Sequence, residues 1–298
     1  MLPDRISSWT AVGRPRGCKR VGGVNRVGFM QGRLSPLVNG KIQAFPWDHW
    51  RDEFITAQRH GFPLMEWTLD QDRLHENPLM TQPGRVEIRR LMAAHGVTVA
   101  SLTGDCFMQA PFYKTEGMER VRLLDDLKTI VESCAEVGIR FIVVPLVDHG
   151  RLETSAQEDN LRAGLEGIYP VLKQRGMKIV FESDYAPAQL ATLIGSFPES
   201  VCGINYDIGN SASLGYDPVD EITTYGARID NVHVKDRKRG GSTVPLGTGD
   251  ANFSAVFRAL AQIGYSGSFI LQTARAVDND HAGALCRYRD MVAGWLAH

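Results

Sequence analysis

Four short apolar runs in the second half of the chain close on, or carry, a side chain with a lone pair to give. "KIVFE" ends on Glu182, "GINYD" on Asp207, "NVHVKD" carries His233, and "SFILQ" ends on Gln272. Two carboxylates, an imidazole and an amide oxygen form a mixed nitrogen and oxygen set, suited to one divalent cation: Mn2+, Mg2+, Co2+ or Zn2+. Each residue alone has a plainer use. Asp207, followed by "IGN", reads as an Asx-type turn in a strand-to-helix loop. Glu182 reads as a capping carboxylate of "ESDYAP", and His233 as a histidine satisfied within a core. Their conjunction favours the cation, because buried unpaired charges are costly and one ion satisfies the whole set. On this reading the small residues after Asp207, beginning with Gly209, leave room for a substrate.

The elements that must hold these residues alternate along the chain. Strands are predicted at 26–30, 64–68, 97–102, 140–146, 178–182, 203–207, 231–236 and 268–272 from short β-branched and apolar runs. Helical periodicity fills the gaps at 48–60, 84–95, 117–137, 155–175, 187–197, 218–225, 253–263 and 281–297. Gly61, Gly96, Gly138, Gly176 and Gly264 end helices just before the next strand. Eight strand–helix units over 26–298 predict an α/β fold, a single-domain (β/α)8 TIM barrel. A doubly wound sheet would need a Gly-rich phosphate turn after an early strand, and "QGRLSP" is none.

Barrel sites gather at the C-terminal ends of the strands. Reading those ends adds Glu66, Asp105, Asp148, His149 and Asp184 as residues facing a substrate. Lys235 shares the strand parity of His233 and should also point inward. Arg33, in the first strand-to-helix loop, and Arg275, past the eighth strand, suit a phosphate or carboxylate, or a rim salt bridge. The backbone amides of "PLGTG" (245–249) could approach an anion.

Composition excludes other classes. With 43% hydrophobic and 22% charged residues and a net charge of −1, the chain has an ordinary globular balance and no general attraction for nucleic acid or an anionic membrane. No apolar run has the length of a bilayer span. The 5 cysteines are scattered and odd in number, which fits a reducing, cytoplasmic setting better than a disulfide framework. Residues 1–25 are basic and Gly-rich and lack the apolar core of a secretory signal; they are expected to be a disordered extension outside the fold. Self-association into a homo-oligomer is left open by the sequence.

The motifs "FESD", "NYDIGN", "NVHVKDR", "VPLGTGDANF" and "YSGSFILQTAR" resemble the sugar phosphate isomerase/epimerase superfamily of xylose isomerase-like TIM barrels. They are most similar to the branch of hexulose-6-phosphate isomerase and L-ribulose-5-phosphate 3-epimerase-like proteins. The resemblance runs from Val27 to the C-terminus and is most specific from Glu182 to Arg275. It implies a divalent ion held by Glu182, Asp207, His233 and the residue ending strand eight, with chemistry on a sugar or sugar phosphate through an enediolate.

In the resembled family the eighth-strand position is normally Glu, and the two metal-bound glutamates serve the two faces of the reacting carbon. Here it is Gln272, whose oxygen can bind a cation but cannot accept a proton near neutral pH. Three outcomes are compatible. A second acid/base among Glu66, Asp105, His149, Asp184 and Lys235 completes an epimerase. Or the reaction needs one base, as in aldose–ketose isomerisation or dehydration of a keto-sugar or cyclitol. Or a non-catalytic sugar-binding metalloprotein remains. An apurinic endonuclease-like role on this barrel would need a basic face and further histidines, which the chain does not supply.

Overall fold

The computed structural model describes residues 26–297, so the basic extension expected at 1–25 lies outside the described residues. Eight parallel strands close on themselves: β1 (Val27–Met30), β2 (Leu64–Thr68), β3 (Thr98–Thr103), β4 (Phe141–Leu146), β5 (Lys178–Ser183), β6 (Cys202–Asp207), β7 (Ile229–Val234) and, after a small ribbon, β10 (Ser268–Leu271). The order around the wall is β1-β10-β7-β6-β5-β4-β3-β2, which confirms the (β/α)8 barrel. The apolar core lies where the strands meet the helical layer. Phe29 packs on Phe62, Phe181 on Phe197 and Phe257 on Phe269, with ring centroids 5.6, 5.0 and 5.1 Å apart. Burying each such ring is worth about 2 kcal/mol.

Two boundaries differ from the sequence expectation for clear reasons. The helix expected over 155–175 is two, Ser155–Glu166 and Tyr169–Arg175. Pro170 has no N–H to give, and its ring would clash with the carbonyl of Glu166, so it can only start a second helix. The strand expected over 231–236 leaves the barrel after Val234. Asp236–Arg237 (β8) instead pairs antiparallel with Thr243–Val244 (β9). Short helices at Asp105–Gln109 and Ile208–Leu214, directly after β3 and β6, were not foreseen.

The first strand-to-helix loop folds over the mouth of the barrel. Its start is pinned by Glu53, on the helix Asp52–His60, whose carboxylate accepts from Gly32 N and Leu34 N at 2.9–3.0 Å. Its exposed tip is a bridge between Val38 and Lys41 across Asn39 and Gly40, whose φ values of 52° and 71° make the Asn-Gly pair the natural choice. The return leg brings Gln43 down toward the strand ends.

Candidate active site

β5, β6 and β7 are neighbours, and their registers place Asp207 opposite His233. One ligand atom each from Glu182, Asp207 and His233 falls within 4.8 Å of the others, with all three side chains buried. A single divalent ion can bridge atoms at that spacing. His233 Nδ1 lies 3.1 Å from Glu182 Oε2 and 3.8 Å from Asp207 Oδ2. Its other nitrogen, Nε2, is 2.7 Å from Glu66 Oε1. Glu66 thus fixes the ring so that a neutral His233 carries its proton on Nε2 and turns the Nδ1 lone pair to the carboxylates. Burial opposes a charge on the ring, but Glu66, Asp207 and Glu182 outweigh it and raise His233 well above 6.5.

Beneath this set lies a polar layer read from the same strand parity. Asn205, two residues before Asp207, donates to Glu182 Oε2 at 2.9 Å. Asn231, two before His233, donates to Asn205 Oδ1 and Glu66 Oε2, and Ser101 donates to Glu66 Oε2 at 2.7 Å. Asn210 donates to Glu182 Oε1 at 2.6 Å and accepts from Arg237. Sequence reasoning missed Asn205, Asn231, Ser101, Asn210 and Gln43. The first three were legible as polar residues of inward parity, and Gln43 was not, because its partners are remote in sequence.

Asp207 serves both readings of its motif at once. Oδ1 accepts from Asn210 N at 2.9 Å and caps the helix Ile208–Leu214, while Oδ2 stands 2.7 Å from Lys235 Nζ. That contact joins an ammonium to a carboxylate oxygen that finds no other donor among the described residues. Burial opposes ionisation, yet Lys235 and His233 hold the Asp207 carboxyl well below the usual range. The room left at Gly209 is taken by Lys235 and not by a substrate: a Cβ at 209 would meet the Lys235 stem at 2.8 Å. Lys235 Nζ also donates to Gln272 Oε1 at 2.9 Å, so Lys235 and Gln272 do converge on the site.

The remaining expected residues divide. Glu66 is wholly buried below the mouth, its oxygens taken by His233, Ser101 and Asn231. Asp105 is at the mouth, accepting from Gln43 Nε2 at 2.6 Å, and burial pushes its carboxyl up to about 7. Arg33 is buried, and burial followed by Arg275 lowers it to about 10. Its N–H groups reach Thr273 O, Ile42 O and Gln43 Oε1. Arg275 donates to Gly32 O and Ser35 O. Both arginines therefore bind the loop over the mouth. Asp148 and His149 are exposed in a turn after β4, apart from the triad. Asp184 pairs with Arg151 at 2.5 Å. Asp148, Arg151, Asp184, Asn210 and Arg237 line a cavity of about 130 Å3, and Asn210 in its wall is the residue bonded to Glu182.

The amides of the 245–249 loop do face an anion, and it is the chain's own. Gly247 N and Gly249 N each donate to Asp236 Oδ2 at 2.8 Å, and Ala251 N to Oδ1 at 3.2 Å.

Sequence comparison decides the family. The profile described as Xylose isomerase-like TIM barrel matches residues 54–288. The chain belongs to that family. Among curated relatives, L-ribulose-5-phosphate 3-epimerase UlaE of Escherichia coli (strain SMS-3-5 / SECEC) is 24% identical over 263 residues, covering 83% of this chain and 90% of that protein. Among solved structures, a xylose isomerase domain protein from Planctomyces limnophilus aligns with a TM-score of 0.70 at 17% identity, over 91% of this chain and 96% of the other. The zinc-bound IOLI protein aligns with a TM-score of 0.71 at 16% identity, over 91% and 98%. At such identities the two structures speak for the fold. Among the described residues no helix is long and apolar enough to cross a membrane.

Proposed function

We propose that the chain is a divalent-metal-dependent isomerase or epimerase of a sugar or sugar phosphate, moving a proton through an enediolate. The convergence of Glu182, Asp207 and His233, with His233 oriented from behind by Glu66, carries this reading. Two names among the similar proteins support it: an L-ribulose-5-phosphate 3-epimerase and a zinc-bound barrel. Scattered cysteines, with Cys106, Cys134 and Cys202 buried as thiols, favour a cytoplasmic setting.

Glu182, Asp207 and His233 Nδ1 would hold the ion, with Gln272 Oε1 as a fourth, neutral donor on withdrawal of Lys235. When bound, the ion supplies Lewis-acid polarisation of a substrate carbonyl. Glu182 takes the proton from the carbon beside that carbonyl; Asn205 and Asn210 each donate to one of its oxygens and fix its plane. Lys235, within 2.9 Å of Asp207 and Gln272, would return a proton, while His149 lies exposed on the rim. Asp148, Arg151, Asp184 and Arg237 line the room for the distal end of the sugar. A neutral Gln272 also suits a reaction with one base, aldose–ketose isomerisation or dehydration.

The test is solvent exchange. Protein loaded with Mn2+ is incubated in D2O with a panel of ketoses and ketose phosphates, and deuterium beside the carbonyl is followed by NMR. Incorporation into at least one member is expected. Protein that holds one equivalent of ion yet labels none of them would overturn the enzymatic reading, and protein that binds no ion would overturn the metal.

A further inference from the structure

Gln272 and Gln43 form a chain of hydrogen bonds whose direction is set by two cations. Lys235 Nζ, which can only donate, lies 2.9 Å from Gln272 Oε1. Gln272 Nε2 then faces Gln43 Oε1 at 3.1 Å. Arg33 Nη2, also an obligate donor, reaches the same oxygen at 3.2 Å. Gln43 Nε2 is left to donate to Asp105 Oδ2 at 2.6 Å. The chain runs in one sense from Lys235 to Asp105, and it joins the ends of β7, β10 and β3 to the first strand-to-helix loop.

The loop around Gln43 is otherwise tied chiefly at its ends. Glu53 holds Gly32 and Leu34, Arg33 Nη1 holds Ile42 O at 2.8 Å, and Asp70 holds Phe45 N at 3.0 Å. Between these anchors Leu37, Asn39, Gly40 and Lys41 are exposed. Arg33, bonded to Thr273 O, and Arg275, which holds Ser35 O, tie the loop to the end of β10, and Gln43 carries the tie across the mouth to Asp105 after β3.

We propose that the Lys235–Gln272–Gln43–Asp105 chain is a latch closing the first loop over the active-site mouth, and that position 272 is glutamine because the latch uses its amide nitrogen. A carboxylate at 272 would face a cation equally well but would have no hydrogen to give Gln43. The oxygen of Gln272 turns to a cation whether that cation is Lys235 or a divalent ion, so its nitrogen meets the loop in both cases. The latch therefore stands independently of the isomerase reading.

Compensating substitutions on the full chain test it. Gln43→Glu still accepts from Gln272 and Arg33 but sets a second carboxylate against Asp105. Asp105→Asn alone keeps an acceptor for Gln43. In the double variant the new amide at 105 donates to the new carboxylate at 43, and every partner is again satisfied with no net change of charge. Loop opening is read as backbone amide exchange over 36–44 by mass spectrometry and as tryptic cleavage after Lys41. Both are run at pH 8, above the Asp105 carboxyl, and the thermal midpoint reports on the barrel. Gln43→Glu and Gln272→Glu should each speed exchange about tenfold, the effect of one lost hydrogen bond with charges opposed. Asp105→Asn and the double variant should stay within about twofold of the parent protein. Unchanged exchange in either single carboxylate variant, or a double variant as open as Gln43→Glu, would overturn the latch.

Discussion

His233 Nε2 stands 2.7 Å from Glu66 Oε1, and both side chains are fully buried. The contact links two strands that are not neighbours in the wall, β7 and β2, and reaches across the barrel interior beneath the candidate metal set. Because Glu66 fixes the ring, Glu66→Gln should keep the ring position while lowering the electron donation of Nδ1. Mn2+ affinity should fall about tenfold or more, the usual effect of losing a carboxylate behind a metal-bound histidine. Isothermal titration measures it, and an unchanged affinity would remove Glu66 from the site.

Glu53 gives the fold a pH signature. Burial pushes its carboxyl from 4.5 up to about 7, and the bonds from Gly32 and Leu34 offset only part of that. The folded state therefore holds the proton more tightly than the unfolded chain. The stability from this group is fully present below 4.5 and is lost as the pH rises through 7. The loss amounts to about 3 kcal/mol over that window. Glu53→Gln should flatten the decline between pH 5 and pH 8 in urea denaturation. A variant that loses as much stability as the parent over this range would show that Glu53 is not the group responsible.

The alternation of strands and helices, and with it the barrel, is legible in this chain because apolar periodicity carries it without help from distant residues. The triad is legible for the same reason, since Glu182, Asp207 and His233 sit at matching ends of successive strands. Gln43 and Asn210 are of another kind. Each is a polar residue of ordinary type whose role is made by closure: Gln43 meets Gln272 across 229 residues, and Asn210 acquires its place only once Asp207 caps a helix. The arginines carry a use of the same kind. A positive charge at a barrel mouth invites an anionic ligand on paper, and closure of the fold also sets Arg33 and Arg275 against backbone carbonyls of residues remote in sequence or across the loop.

Asp236 is the structural use of the "KD" pair whose lysine enters the site. Its carboxylate gathers Gly247 N, Gly249 N and Ala251 N, and a Cβ at 249 would sit 2.0 Å from Asp236 Oδ1. Asp236→Ala should strand those amides and lower stability by about 2–4 kcal/mol. Asp236→Asn, which retains an oxygen, should cost less. Equal losses in the two variants on chemical denaturation would show that the contacts matter for shape alone.

Glu182 and Lys235 have separable roles in the proposed proton transfers. Glu182→Gln removes the acceptor, and its new NH2 must also face a donor, since Asn205 and Asn210 each give a hydrogen to one carboxylate oxygen. Deuterium exchange into a ketose substrate should then fall about a hundredfold or more, the scale of a lost general base. Lys235→Met leaves Glu182 in place and takes away the ammonium beside Asp207. Exchange on the Glu182 face should continue while formation of the epimer falls about a hundredfold, and Mn2+ should bind more tightly because no competing cation sits on Asp207 and Gln272. The two variants are compared by NMR of the labelled substrate and by metal titration. Should Lys235→Met abolish exchange as completely as Glu182→Gln, the lysine would be the base that removes the proton, and Glu182 a ligand only.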